Sequence, residues 1–446
     1  MADLLGGASW TIVRTAPGAA ATPAGLDGLE RLPALVPGTA AGALRAAGRP
    51  ATEDLDEQDW WWETTLPALD TAVLRIGGLA TVAEVWIDEV CVHRGDNMFV
   101  ATDVPLRSVS AGARLRIVCR ALGPLLRARH PRPSWRTRLV RTQNLRYFRT
   151  ALLGRLAADD ATPAPVGPWR GVSLESGTAP RLRVRPHVEG ATATVEIAAD
   201  LATEANTARV VLAGTPIPLT VQGTTATGTA DVSALARWWP RGYGTPVLHE
   251  AVLEVDGHAV ATTRVGLREI GRHRADIEGL GLSCNGTAVF ARGAVWSPID
   301  PTSLQNEPHR LGAVLDAFVA AGLNTIRVPG VVGYEAESFY SACDERGLLV
   351  WQDLAMANLD PPAGDTGWRA SLDAELAQLG ERLSGHPCVA VVCGGSETEQ
   401  QAVMTGVDDY AGSLGMLLDD LRATAPTTFP GAVWVDNSPT GGPRPF

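Results

Sequence analysis

The chain has 446 residues, 45% of them hydrophobic, and a formal net charge of −11. That length suits about two to four domains, the charge argues against general nucleic-acid binding, and no run of ~20 apolar residues is present to cross a membrane. All 38 basic residues are arginine, which excludes Schiff-base chemistry and a Walker-type phosphate loop, since both need lysine.

Met1–Trp10 lacks a charged segment followed by an apolar one, so no secretion signal is read there. The six cysteines (Cys91, Cys119, Cys284, Cys343, Cys388, Cys393) form no CxxC pair. They read as reduced, buried thiols of a cytoplasmic protein, with no zinc site on these spacings.

Residues 1–50, rich in Ala, Gly and Pro, predict an irregular lead-in with a short helix near Ala40–Ala47. From Trp60 the pattern changes to short strands: Trp60–Thr65, Ala72–Ile76, Glu84–Ile87, Cys91–His93 and Arg114–Cys119. Asp88-Glu89 sits between two β-rich runs and predicts a hairpin turn. Strands at this spacing suggest an antiparallel sandwich. Trp60-Trp61-Trp62 could form a sugar platform, but alternate tryptophans on a strand more often fill a core.

Eight arginines follow between Arg127 and Arg149, interleaved with Trp135, Tyr147 and Phe148. They read either as a solvated or acid-paired loop, or as a clamp for an anionic group, which guanidinium binds bidentately. Gly171–Glu175 predicts a strand closing this unit. Residues 181–270 repeat the all-β signal at Thr192–Ile197, Arg209–Leu212 and Val252–Val255, with a turn-like Thr/Gly run at 224–230. About ninety residues of this kind suit an immunoglobulin-like sandwich.

Near Gly279 the period changes to alternating strand and helix. Strands are predicted at Ala288–Ala294, Thr325–Val328, Leu348–Gln352, Cys388–Cys393 and Ala432–Val435. Between them, Leu311/Leu315/Phe318, Phe339/Tyr340/Cys343, Leu372/Leu376/Leu379/Leu383 and Leu414/Leu418/Leu421 mark helix faces. The alternation argues a parallel sheet, and five units in series argue a barrel. A closed barrel needs eight strands over about 250 residues, so residues 279–446 are expected to hold a partial one. His386 to Glu399 is the stretch around which this region is organised: an apolar strand, then Gly394 and Gly395, then Glu397. Barrel chemistry sits at the C-terminal strand ends. A carboxylate there, beside an apolar wall, can serve as a general acid. The alternative is a surface glutamate opening the next helix.

These features resemble glycoside hydrolase family 2, most closely its β-mannosidase-like branch. The resemblance is carried in order by Val265–Arg268, Asn285-Gly286, Phe290–Pro298, Gly322–Val328, Phe339-Tyr340, Cys343-Asp344, Gly347–Asp353, His386-Pro387 and Gly394–Glu397. It implies a sugar-binding jelly-roll-like β-sandwich at 1–178, an immunoglobulin-like β-sandwich at 179–272 and a partial TIM barrel at 273–446. It implies that Glu397 is the acid/base, that Trp296 lines the glycone subsite and that Arg327 and Asp353 support the site. No metal or cofactor is implied.

There are three departures from the family. Ser396 stands where the family has Asn against the sugar 2-hydroxyl, which opens the way to a 2-amino or otherwise altered sugar. Leu145–Thr150 stands where mannosidases carry Trp-Asp-Trp-Gly; its Arg149 suits an anionic sugar better than a neutral one. Only 49 residues follow Glu397, and none of Asp408, Asp409, Asp419, Asp420 and Asp436 matches the nucleophile motif.

The expectation is therefore the N-terminal portion of a retaining exo-β-glycosidase, inactive alone, with a carbohydrate ligand and either a complementary C-terminal chain or a homo-oligomeric partner. The competing expectation is a non-catalytic carbohydrate-binding protein. A third, an interaction module for an anionic polymer, rests on the arginine stretch alone.

Overall fold

Strands dominate the first 270 positions, and several, such as Thr192–Asp200, bury alternate residues on one side of a sheet. The computed structural model describes residues 3–51, 54–158, 161–177, 179–273, 280–407 and 413–439; Asp408, Asp409 and Gly279 lie outside the described residues.

A six-stranded antiparallel sheet runs in the order Leu32–Ala34, Trp10–Thr15, Asp59–Thr65, Arg114–Cys119, Ala83–Ile87, Val90–Gly95. A three-stranded sheet of Thr102–Val109, Leu69–Ile76 and Val172–Glu175 shares its core. Trp60 and Trp62 enter that core with Leu74, Ile76, Leu115 and Ile117. Trp61 points to the other face, against Val13, Leu26, Trp86 and Val118. All three tryptophans are at most 1% exposed, so they present no platform to a sugar. Burying 150–250 Å² of each ring stabilises the fold by about 4–6 kcal/mol at ~25 cal/mol per Å².

A seven-stranded antiparallel sheet follows, ordered Arg181–Glu189, Thr192–Asp200, Thr225–Asp231, Thr215–Gln222, Ala208–Leu212, His249–Val255, His258–Val265. Its core holds Val195, Ile197, Val210 and Leu253. The run expected as a turn at 224–230 is a strand, paired with Thr192–Asp200 over Thr225–Asp231 and with Thr215–Gln222 over Thr225–Thr227. Its small threonines alternate with buried Ala226, so flanking strands supply the hydrogen bonds that weak local propensity does not.

The last unit is a parallel sheet whose strands pair in sequence order: β1 (Gly293–Val295), β2 (Thr325–Val328), β3 (Leu349–Asp353), β4 (Val389–Cys393) and β5 (Val433–Val435). Helices α1 (Pro308–Ala320), α2 (Glu337–Arg346), α3 (Thr366–Leu383), α4 (Thr398–Met404) and α5 (Ser413–Thr428) intervene. The strand expected across Ala288–Ala294 is divided. Thr287–Val289 pairs antiparallel with Leu282–Cys284, and only Gly293–Val295 enters the parallel sheet. Strand β4 is buried at every position, as a parallel strand covered on both faces should be. Strand β1 is exposed at every position, and among the described residues neither β1 nor β5 has a second strand neighbour.

Candidate active site

The C-terminal ends of strands β2 to β5 bring together a cluster of polar side chains. Two glycines bring the β4 end into position. A Cβ on Gly394 would lie 2.7 Å from Asp436 O and from the Trp434 ring, and one on Gly395 would lie 2.5 Å from the Asn437 side-chain amide. Only glycine lets the chain run this close to the β5 end before it turns outward.

Glu397 takes that turn. It precedes α4 in the left-handed region, at φ 59° and ψ 11°. Its N–H donates to Ser438 O (2.8 Å), and its carbonyl accepts from Gln401 N–H (2.9 Å). A non-glycine residue held there carries strain of roughly 1 kcal/mol or more, which only the surrounding contacts sustain. The side chain is half-buried, and its carboxylate has no hydrogen bond or ion pair among the described residues. The two readings of Glu397 are thus compatible: it opens a helix and is also presented at a strand end.

Beside it lies a closed network. The Arg327 guanidinium, from β2, donates to Asp353 Oδ2 through Nη2 (2.7 Å) and Nε (3.1 Å), and to Ser396 Oγ through Nη2 (3.2 Å). Trp351 Nε1 donates to Asp353 Oδ1 (2.9 Å). Asp353 is wholly buried; burial pushes its carboxyl upward while Arg327 pulls it back. For Arg327, burial opposes the charge, the Asp353 carboxylate outweighs it, and the net shift is upward; Glu397 adds to the upward pull. Arg327 and Asp353 therefore brace Ser396 and set the potential around Glu397.

Trp296 caps β1 but is only 3% exposed. It packs on Phe339 and Phe318, and its indole donates to Glu335 Oε1 (2.7 Å). Its placement is that of packing within the sheet's helical layer. Burial pushes the Glu335 carboxyl upward, with the Trp296 and Asn306 donors pulling against it.

Arg149 is placed differently from the expectation of a sugar-facing clamp. It is 5% exposed and grips Glu375 of α3 through Nε (2.9 Å) and Nη2 (2.6 Å), while Nη1 donates to Ala355 O (3.0 Å). Each guanidinium nitrogen makes a bond and the side chain is buried, so Arg149 ties the first unit to the parallel sheet instead of facing a sugar. Arg146 is buried too, and its Nη1 donates to Asp360 O (2.7 Å) and Oδ2 (3.1 Å).

Two residues not singled out from the sequence belong here. Asn437, wholly buried after β5, places its amide between Gly395 O (2.8 Å) and Glu399 N–H (3.1 Å). Gln401 accepts a bond from Thr137 Oγ1 (2.8 Å), joining α4 to the arginine-rich segment. No local pattern marks either; the signal is their place at neighbouring strand ends. Of the acids after Glu397, Asp436 is taken by Arg422 (2.6 Å) and Trp434 Nε1 (2.7 Å), and Asp419 and Asp420 pair with Arg422 and Arg369.

Among the described residues one group has metal-ligand composition: Asp344, His386 and Cys388, buried at the opposite end of the sheet. His386 Nδ1 meets Asp344 (2.5 Å) and Nε2 meets Glu337 (2.6 Å). Burial opposes the imidazole's charge, but the two carboxylates raise it to about 9, while burial drives the Cys388 thiol far up. Both imidazole nitrogens are thus engaged by carboxylates, which leaves neither lone pair directed at a metal ion.

A family model described as the glycosyl hydrolase 2 galactose-binding domain-like module matches residues 21–170. β-Mannosidase B of Aspergillus terreus is 26% identical over 443 residues, covering 87% of this chain and 52% of that protein. Mouse β-mannosidase is 29% identical over 229 residues, covering 47% of this chain and 26% of the relative. The crystal structure of β-D-mannosidase from Dictyoglomus thermophilum superposes with a TM-score of 0.78 at 20% identity, covering 98% of this chain and 58% of that one. The chain thus spans about half or less of the length of these curated relatives.

Proposed function

We propose that this chain, β-mannosidase-like and akin to glycoside hydrolase family 2, carries the acid/base half of a retaining exo-β-glycosidase site. The observation that carries the reading is Glu397, an unpaired carboxylate held in a strained conformation at a parallel strand end and backed by the Arg327–Asp353 pair. We read the sheet β1–β5 as the leading part of a (β/α)₈ barrel, and the two antiparallel units as jelly-roll-like and immunoglobulin-like sandwiches. Supporting this are the sequential parallel order and the mannosidase-like relatives.

In this mechanism Glu397 protonates the glycosidic oxygen as the bond breaks, then deprotonates the water that releases the sugar. Ser396, held by Arg327, faces the sugar near C2, and terminal β-mannosides are the substrates we favour. The second carboxylate that retention requires, about 5–5.5 Å from the first, has no candidate free of partners among the described residues after Glu397. We infer that it comes from a complementary C-terminal chain pairing with the open edges β1 and β5, where Val295 is 59% exposed. The same lack favours, as the second reading, a carbohydrate-binding protein without turnover.

Glu397→Gln is the test, in the chain assembled with its complementary part. Hydrolysis of 4-nitrophenyl β-mannoside should fall roughly 10²–10⁴-fold. A 2,4-dinitrophenyl leaving group, which needs no protonation, should lose far less in its glycosylation step. Equal loss on both substrates, or none, rules out Glu397 as the acid.

A further inference from the structure

A crevice of about 770 Å³ opens where the three units meet. Ala101 and Asp103 of the first unit form one wall, and Glu337, Gln378 and Glu381 of α2 and α3 form another. The seven-stranded sheet supplies the third through residues 181–185, Leu248, Thr263 and Arg264. None of Arg327, Ser396 and Glu397 borders it.

Residues 181–185 belong to the strand Arg181–Glu189, and Thr263 and Arg264 to His258–Val265, the two ends of the sheet order. The crevice therefore runs along the edges of the sheet. Side chains alternate along a strand. Val184 enters the core and Leu182 packs against it, while Arg181, Arg183 and Arg185 stand on the outer face. Five consecutive residues, 181–185, nevertheless border the same space, so the strand presents its backbone there as well as its arginines. Arg181–Glu189 pairs with Thr192–Asp200 on one side only, and among the described residues the outward N–H and C=O groups of 181–185 make no hydrogen bond. Pro186, which has no N–H, ends the stretch.

The arginines set which strand fits. Arg183 is held by Asp200 (2.6 Å) and reaches Glu381 (3.5 Å). Arg181 gives only Nη2, to Asp103 (3.2 Å), and Arg185 has no bond or ion pair among the described residues. Charge on an edge strand deters chance pairing. A second copy of this chain would bring the same three arginines against these, whereas an acidic strand meets complementary charge.

We propose that this edge is a docking site for an extended acidic peptide segment of a partner protein, which adds a strand beside residues 181–185. Backbone hydrogen bonds supply the affinity. Residues directly opposite across a strand pair lie about 4.5–5.5 Å apart, so acidic side chains at the first and fifth positions of the segment meet Arg181 and Arg185.

Titration of the full chain at low salt with acetyl-Glu-Val-Thr-Val-Glu-amide tests this; the sequence reads the same in either strand direction. It should bind with a Kd below about 1 mM, and the peptide with lysine for both glutamates should not. Arg181→Ala/Arg185→Ala should weaken binding roughly three- to tenfold, and added salt should weaken it likewise. Both side chains are exposed, so the thermal midpoint should not move. Only alternate backbone groups of an added strand face the edge. N-methylation of the two valines and N-methylation of the threonine should therefore differ, one abolishing binding and the other sparing it. Amide hydrogen exchange should slow at residues 181–185 in the complex. No binding at about 1 mM, the same loss from either methylation, or slowed exchange confined to the strands 293–295 and 433–435 overturns the inference. Slowed exchange at 181–185 with trigalacturonate and not with the peptide also overturns it, and marks the crevice as a site for acidic sugars instead.

Discussion

The two ends of the parallel sheet carry buried charge in opposite ways. At the N-terminal end, His386 sits between Asp344 and Glu337, and Asp344 Oδ1 also accepts from Cys388 N–H (2.9 Å). At the C-terminal end, Arg327, Asp353 and Ser396 satisfy one another, but Glu397 beside them does not join. The first cluster is closed and holds α2 to the start of β4. The second is closed except for one carboxylate in a strained backbone, so it has something to offer a ligand. Buried polar networks rigidify when complete; a group deliberately left over is a reactive or binding group.

Substitutions at the two ends should therefore have opposite consequences for stability. The largest effect is expected for Asp344→Ala. It leaves the His386 imidazolium short of a carboxylate and orphans the Cys388 N–H, costing roughly 3–5 kcal/mol. Urea denaturation measures it, and a cost under about 1 kcal/mol would show the N-terminal cluster to be dispensable.

The next effect is on pH dependence. The His386 value in the folded chain, about 9, lies above the ordinary 6.5. A raised value stabilises fully below pH 6.5, and the contribution is lost as pH rises through 9. Its ceiling is about 3 kcal/mol. Stability measured from pH 6 to 10 should fall in wild type and fall less in His386→Gln. A parallel decline in both would assign it to other groups.

The smallest effect has the opposite sign. Glu397→Gly relieves the left-handed strain without breaking a side-chain bond, and should raise stability by about 1 kcal/mol or less while abolishing the proposed chemistry. A lower melting temperature would mean that the carboxylate has a structural partner after all.

Much of this was legible in the sequence. The period of two in the first 270 residues, and its change to alternating strand and helix near Gly279, arise from which faces are buried, so they are written in residue order. Strand β4 and the glycines before Glu397 were readable for the same reason: an all-apolar run must be covered on both faces, and paired glycines mark a close approach. Weak local signals misled. Thr225–Asp231 resembles a turn by composition, yet it is a strand because neighbours on both sides pair with it. Ala288–Ala294 resembles one strand, yet it is shared between two sheets.

The arginines mark the limit most clearly. By itself the sequence determined that a dense guanidinium segment precedes the second all-β unit, that a carboxylate follows an apolar strand, and that the motifs run in mannosidase-like order. It could not determine which arginines are free. Arg149 and Glu375 are 226 positions apart, as are no local pattern's partners, and only the packing of the first unit against α3 brings them to 2.6 Å. Whether a charge is spent or available depends on which opposite charge the fold delivers to it, and that is decided by tertiary contacts between distant elements. The same fold that spends Arg149 leaves Arg136 and Arg138 exposed.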